Sequence, residues 1–417
     1  MTRATAPAHS DNPPFEVLLP DGGTLDAVVA MRTLAPFSDD AMRFLAELSS
    51  RLLRSRAIRK FPELMALGYW MRPASLEQLA KRYAADAGGR MVLSVARGMA
   101  FHIAPSNVDT IFVYSWLISL LAGNSNVVRL SRKETPQVDA LLEVLTTVVT
   151  NPTHASVRAR TLLVRFDPSP EVTAFFSNRC DIRAVWGGDA AVKEVRSVPL
   201  PPLSTELVFG DRFSMALLKS KGWLTSDAAT RGRLIHGFLN DSYWFMQMAC
   251  SSPRLVTWIG SPDDVDEARE SFWSAVREEL PKRHVEFSSR DYINKRTATA
   301  SLAIEGSIRI ELEPTGDVTR LWIGDPSIDH RELHCGAGLF WEAGCESLAE
   351  LTPALHRRIQ TVAHFGFSES ELAQYVRTAQ PRGVDRWVPI GHALDFDHIW
   401  DGWDLVRAFG RQVSISA

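Results

Sequence analysis

Residues 102–131, "HIAPSNVDTIFVYSWLISLLAGNSNVVRLS", set the architecture of the first half of the chain. A polar turn, "APSNVDT", leads into the most apolar run of the sequence, "TIFVYSWLISLLAG" (110–123), and "NSNVVRLS" follows as a strand. The apolar run is well short of the ~20 residues that cross a bilayer, so it reads as a buried helix that stops at Gly123. "RMVLSVARGMAFHIAP", just ahead of it, reads as strand. The alternation then continues. "TPQVDALLEVLTTVVT" is a helix with Thr135 as its cap and Pro136 in its first turn. "RTLLVRFD" is a strand, "SPEVTAFFSNRC" a helix, "DIRAVWGG" a strand and "DAAVKEVRSV" a helix. This pattern predicts a parallel sheet with helices on both faces, the architecture of a dinucleotide-binding domain, although no GxGxxG motif occurs.

Working outward, residues 1–14, "MTRATAPAHSDNPP", are polar and proline-rich and read as a disordered leader, not a signal peptide. "FEVLLPDGGTLDAVVAM" reads as a hairpin with an Asp-Gly turn and the start of a helix. Apolar residues at helical spacing over 39–66 and 75–88 predict further helices. On the C-terminal side come a polar helix, "TSDAATRGRLIHGFLND", a strand, "RLVTWIGS", a long helix, "PDDVDEARESFWSAVREELPKR", and β segments at 301–312 and 318–324. The tail ends in an alternating strand that either returns to the first domain or pairs with another subunit. These elements predict a dinucleotide-binding domain over 15–245, completed by 385–417, and a second α/β domain over 246–384.

At 417 residues, 45% apolar and 23% charged, the composition is that of an ordinary soluble protein with two domains. A net charge of −3 provides no footprint for nucleic acid. Four scattered cysteines without a CxxC pair or a Cys/His cluster imply neither a disulfide scaffold nor a metal site. Reduced thiols and a cytoplasmic location are the expectation.

Three stretches sit at strand-to-helix junctions, where open α/β sheets build their sites. Asn107 in "HIAPSNVDT" is either an amide aimed at a developing oxyanion or a helix cap. Arg129, Arg132 and Lys133 in "VVRLSRKETP" suit a ligand phosphate, or form a solvated loop. Gly187 and Gly188 in "AVWGGDAAV" let a ligand approach the backbone ahead of a helix N-terminus, or simply make a tight turn. The remaining candidate is Cys250 in "WFMQMACSSPRLV" (244–256). It is a nucleophile if a nearby cation such as Arg254 favours its thiolate, and otherwise a packed thiol. Cys180, Cys335 and Cys345 read as structural. His102, within a strand, reads as packed or paired, and His334, His364, His392 and His398 receive no role.

Taken in order, these stretches resemble the aldehyde dehydrogenase superfamily, specifically its acyl-CoA reductase branch typified by LuxC-type fatty acyl-CoA reductases. The proline–x–asparagine turn, apolar helix, Gly123-Asn124 pair and following strand match. So do "QMACSSPRLV", "AVWGGDAAV", "IQTVAHFGF" and "IGHALDFDHIWDGWDLVRAFGRQVSI". The resemblance implies two doubly wound Rossmann-like domains with a C-terminal oligomerisation strand, and NADPH-dependent reduction of an acyl thioester. The donor would be acyl-CoA or an acyl-carrier protein, in a homo-oligomer with a possible acyl-transferring partner protein. By the same resemblance Cys250 is the nucleophile and Asn107, with the Cys250 backbone N–H, holds the oxyanion. Pro105, Ser106, Arg129, Ser131, Arg132, Gly187, Gly188 and Phe340 adjoin the cofactor, the basic residues favouring NADPH over NADH. Glu206 in "LSTELVFGDRF" falls near the superfamily's glutamate base, though the usual motif around it is absent, so it is a proton handler or a structural residue. Two rival activities fit the same residues: oxidation of aldehydes to acids, and a cysteine acyltransferase or thioesterase without redox chemistry.

Overall fold

A computed structural model describes residues 14–85, 91–104, 111–305, 308–311, 313, 315–323, 325–327 and 331–415. The chain divides into two compact units, 1–210 with 396–398 and 403–417, and 211–395 with 399–402.

The first unit contains β1 (Glu16–Leu19), β2 (Met91–Ala96), β3 (Met99–Ile103), β4 (Ser125–Leu130), β5 (Thr161–Arg165), β6 (Ile182–Trp186) and β7 (Thr205–Phe209). Its helices are α1 (Leu25–Val29), α2 (Asp39–Arg54), α3 (Pro62–Trp70), α4 (Pro73–Ala85), α5 (Ile111–Leu121), α6 (Pro136–Thr150), α7 (Ala155–Ala159), α8 (Pro170–Ser177) and α9 (Asp189–Arg196). Six strands form a sheet in the order β1-β5-β4-β3-β6-β7. All pairs are parallel except β1 with β5. Every residue of α5 is buried, because it packs on β3 and β4 and is covered by α2 and by residues 405–408. A helix without a wet face has no use for polar residues, which explains its composition. Gly123 ends it at a φ of 97°, and a Cβ there would lie 2.1 Å from the Leu34 carbonyl oxygen. Thr135 caps α6 through the Val138 amide, with Pro136 in the first turn, as expected.

Three local expectations fail in this unit. The Asp-Gly turn near residue 21 does not close a hairpin, since the partner of β1 is the distant β5. The single strand expected over 90–105 is two, β2 and β3, and β2 leaves the main sheet to pair antiparallel with Gly410–Ile415. The C-terminal strand therefore takes the first of the two destinations open to it. The unit also ends at Gly210, not at residue 245.

The second unit holds β8 (Phe213–Lys219), β9 (Pro253–Ile259), β10 (Ile308–Glu311), β11 (Thr319–Ile323), β12 (Leu339–Cys345), β13 (Ile359–Phe365) and β14 (Arg386–Pro389), in the order β10-β11-β12-β9-β8-β13-β14. Only the β10–β11 pair is antiparallel among them. On one face pack α10 (Ser220–Leu224), α11 (Ala228–Tyr243) and α12 (Pro262–Glu279); on the other, α13 (Ser289–Glu305), α14 (Leu348–Leu351) and α15 (Glu369–Ala379). Residues 301–305 therefore belong to a helix and not to the expected strand. Alternate β8 residues feed the two cores: Ala216 and Leu218 one, Met215 and Leu217 the other. Burial on both faces erases the alternating pattern by which a strand is recognised. Residues 211–245, expected in the first domain, lie in this second unit.

Candidate active site

In the first unit a cavity of about 410 Å³ opens beyond the C-terminal ends of β3, β4, β5 and β6. Its wall includes Arg129, Ser131 and Arg132 after β4, Phe166 and Asp167 after β5, and Gly187 and Gly188 after β6. Gly188 is the N-cap of α9 and offers no capping side chain, and a Cβ on it would meet nothing within 4 Å. That corner therefore presents free space beside helix-terminal amides, the environment that a phosphate group needs. Arg129 donates to the Phe166 carbonyl from Nε (3.3 Å) and Nη2 (3.1 Å) and lies over the Phe166 ring. Arg132 is paired with Asp167 at 3.1 Å, both side chains being exposed. The structure thus brings together Arg129, Ser131, Arg132, Gly187 and Gly188, while Pro105, Ser106 and Asn107 lie outside the described residues.

Two other named residues of this unit are tied into its framework. The Glu206 carboxylate on β7 accepts from Arg183 Nη2 on β6 (2.7 Å) and from Arg196 Nε on α9 (2.8 Å). With both oxygens held by guanidinium groups it joins three elements, which is the work of an anchor. His102 is fully buried between Ser115 Oγ (2.8 Å) and Asn126 Oδ1 (3.0 Å). Burial pulls its pKa down to about 4, so the ring is neutral and structural.

The second unit presents Cys250 in the turn between α11 and β9. No helix starts there to stabilise a thiolate, since the chain runs directly into a strand. The turn is made by two consecutive left-handed residues, Met246 (φ 50°) and Gln247 (φ 60°), a conformation costing on the order of 1 kcal/mol or more for each. Buried Gln247 holds it in place. Its Nε2 donates to the carbonyls of Pro253 and Leu339, both at 3.1 Å, and its Oε1 accepts from the Gly338 amide at 2.8 Å. Arg254 Nε donates to the Gln247 carbonyl at 3.3 Å. Ser214 Oγ, at the start of β8, donates to the Cys250 carbonyl (2.7 Å) and accepts from the Thr361 amide (3.1 Å).

As a residue Cys250 is half-buried. Gln360 Nε2, at the start of β13, donates to its Sγ at 3.2 Å and to Asp401 Oδ1 at 2.7 Å. Arg212 Nη1 donates to the same Asp401 oxygen at 3.2 Å and also pairs with Asp385, while its Nη2 donates to the Ile359 carbonyl at 2.6 Å. Burial and the nearby Asp401 carboxylate push the thiol up to about 11, opposed by the Gln360 hydrogen bond and by Arg254 and Arg212. Burial also raises Asp401. At neutral pH the resting sulfur is therefore the protonated thiol. Cys180, by contrast, is packed with its Sγ toward the Ser177 carbonyl, and burial raises it to about 12.

Phe340 requires a correction. It stands on the β12 face covered by α11 and α12, fully buried among Phe238, Tyr243 and Trp273. Its ring is core and offers no surface to a cofactor. Sequence reading also passed over Gln360, Asp401, Arg212 and Ser214. The first two lie within the stretches that carry the family resemblance, but 110 residues separate Gln360 from Cys250, and nothing local in one sequence marks that contact. Among the described residues no cluster of three or more His, Cys, Asp or Glu could hold a metal ion, and no helix is long and apolar enough to cross a membrane.

Residues 27–305 match the family model described as acyl-CoA reductase (LuxC). No curated protein sequence matches the chain. Solved structures similar to it include lactaldehyde dehydrogenase from Escherichia coli, with 11% identity, 97% of this chain and 96% of that one covered, and a TM-score of 0.64. PnpE in complex with nicotinamide adenine dinucleotide is 11% identical over 94% of this chain and 86% of its own, with a TM-score of 0.63. An NAD-dependent aldehyde dehydrogenase from Sinorhizobium meliloti is 12% identical over 91% and 82%, with a TM-score of 0.63. At such identities the likeness is one of fold, which is that of aldehyde dehydrogenases. The family match covers well over half of the 417 residues, and the chain belongs to the LuxC acyl-CoA reductase family, as an oxidoreductase of the acylating aldehyde dehydrogenase type.

Proposed function

We propose that the protein reduces an acyl thioester, carried by coenzyme A or a carrier protein, to the aldehyde at the expense of NADPH, through a thioacyl intermediate on Cys250. The observation that carries this reading is a thiol whose sulfur already accepts a side-chain hydrogen bond, in a turn fixed by Gln247, within a chain of this family. The Cys250 sulfur, once deprotonated, forms a bond to the thioester carbonyl carbon, and the oxyanion is held by Asn107 and the Cys250 backbone N–H. The bond to the donor sulfur then breaks and the free thiol departs with a proton. A thioester is exchanged for a thioester, so this half-reaction is close to balanced. After reduction of the thioacyl carbon, the carbon–sulfur bond to Cys250 breaks, the aldehyde leaves and the thiol is restored. Water must stay away from the acyl-enzyme in the meantime. Trp244 and Met248 keep apolar surface exposed in the nucleophile's own turn, and an acyl chain laid on them shields the thioester.

The cavity of the first unit suits a dinucleotide: open space at Gly188, uncapped amides of α9, and Arg129, Ser131 and Arg132 beyond β4. A nicotinamide cofactor bound there supplies the hydride that reduces the thioacyl group. Arg132 supports NADPH over NADH, because its guanidinium can exchange exposed Asp167 for a ribose 2′-phosphate. Glu206 serves as an anchor between Arg183 and Arg196. The reading predicts aldehyde and one equivalent of free thiol from acyl-CoA plus NADPH, and loss of both in Cys250→Ala with nucleotide binding retained. Acid as the product, or turnover by Cys250→Ala, contradicts it.

A further inference from the structure

The reading of Cys250 as nucleophile leaves open what aims its sulfur. Gln360 Nε2 has two hydrogens and spends them on two acceptors, the Cys250 sulfur at 3.2 Å and Asp401 Oδ1 at 2.7 Å. Its Oε1 accepts from Thr361 Oγ1 at 3.4 Å, so both ends of the amide are engaged, and the Asp401 carboxylate, which only accepts, selects the orientation with Nε2 toward it. Asp401 in turn is held by Arg212, which is itself fixed by Asp385 and by the Ile359 carbonyl. Each member of this chain lies in the second unit, and each is oriented by the next.

We propose that Gln360 and Asp401 form a clamp in which the amide positions the Cys250 sulfur and the carboxylate orients the amide. The two act on the sulfur in opposite senses. An N–H donor stabilises the thiolate more than the thiol, whereas a neighbouring carboxylate opposes it. The charged groups facing the sulfur are Asp401, Arg254 and Arg212, and Asp385 faces Asp401. Burial first and the carboxylate second favour the resting thiol, and the amide holds the sulfur ready for the thiolate that attacks. Both are positioning residues, since they act through Cys250.

The test is the pH profile of Cys250 alkylation by iodoacetamide, followed by peptide mass mapping of the whole chain, in Gln360→Leu and in the near-isosteric Asp401→Asn. Asp401→Asn moves the alkylation midpoint to lower pH and raises the rate at pH 8 by roughly three- to tenfold, the gain in thiolate being tempered by lower intrinsic nucleophilicity. Gln360→Leu moves the midpoint to higher pH and lowers kcat by roughly ten- to hundredfold with KM nearly unchanged. Loosened packing alone would raise the rate of both variants at every pH and leave the midpoint in place. That result, or midpoints moving in the same direction, overturns the clamp. Because alkylation reads the thiol directly, a wild-type Cys250 that accepts no acyl group counts against the nucleophile reading and leaves this test standing.

Discussion

The cavity of the first unit lies beyond the C-terminal ends of its parallel strands, whereas Cys250 lies against the N-terminal end of the second sheet, beside the first residues of β8, β9 and β13. The first location follows the general rule for open α/β sheets, in which loops and helix N-termini gather around a ligand. The second reverses it. No helix N-terminus is available there, so the turn is shaped by left-handed residues and the sulfur is addressed by side chains from distant strands. A site built on backbone amides can be open and preformed. One built on a reactive side chain has to be held by other side chains, at the cost of a strained turn.

The contrast can be broken by substitution, and the largest effect on catalysis is expected on the cysteine side. Gln247→Ala leaves the Gly338 amide and the Pro253 carbonyl without their partner. It should cost about 2–4 kcal/mol in denaturant unfolding and, by displacing the sulfur, about 10²-fold in aldehyde formation. A smaller effect is expected at the cavity. Gly188→Val places a side chain where the protein itself has open space. Nucleotide affinity, measured by titration, should weaken by about tenfold or more, with stability changed by no more than about 1 kcal/mol. Cavity and cysteine are distinguished by which variant spares Cys250 alkylation: Gly188→Val does and Gln247→Ala does not. The smallest effect is expected for Glu206→Gln. An anchor loses some stability and leaves kcat within about threefold, whereas a proton-transferring base would lose about 10²–10⁴-fold.

The same contrast governs what could be read from the residues alone. The strand–helix alternation of the first unit, the stop at Gly123 and the Thr135 cap rest on local periodicity and capping, and all appear where expected. The cavity wall was legible for the same reason, because its residues follow their strands directly. β8 was not, since both of its faces are buried and its apolar run carries no period. Nor was the partner of β1, where a convincing turn signal was overridden by pairing with β5. Phe340 shows the limit of a resemblance: the face of β12 on which it stands is set by tertiary packing, which one sequence does not display. The surroundings of Cys250 left nucleophile and packed thiol both open, and only the family resemblance chose between them, whereas Gln360, Asp401 and Arg212 reach it only through the folded sheet.

The most direct test of the account is intact-mass measurement of the wild-type chain mixed with an acyl-CoA and no nucleotide. The account predicts a mass increase equal to one acyl group, mapped to the peptide carrying Cys250, discharged as aldehyde on adding NADPH and absent from Cys250→Ala. An unmodified chain that nonetheless converts the acyl-CoA to aldehyde when NADPH is supplied, or an adduct that persists in Cys250→Ala, would contradict it.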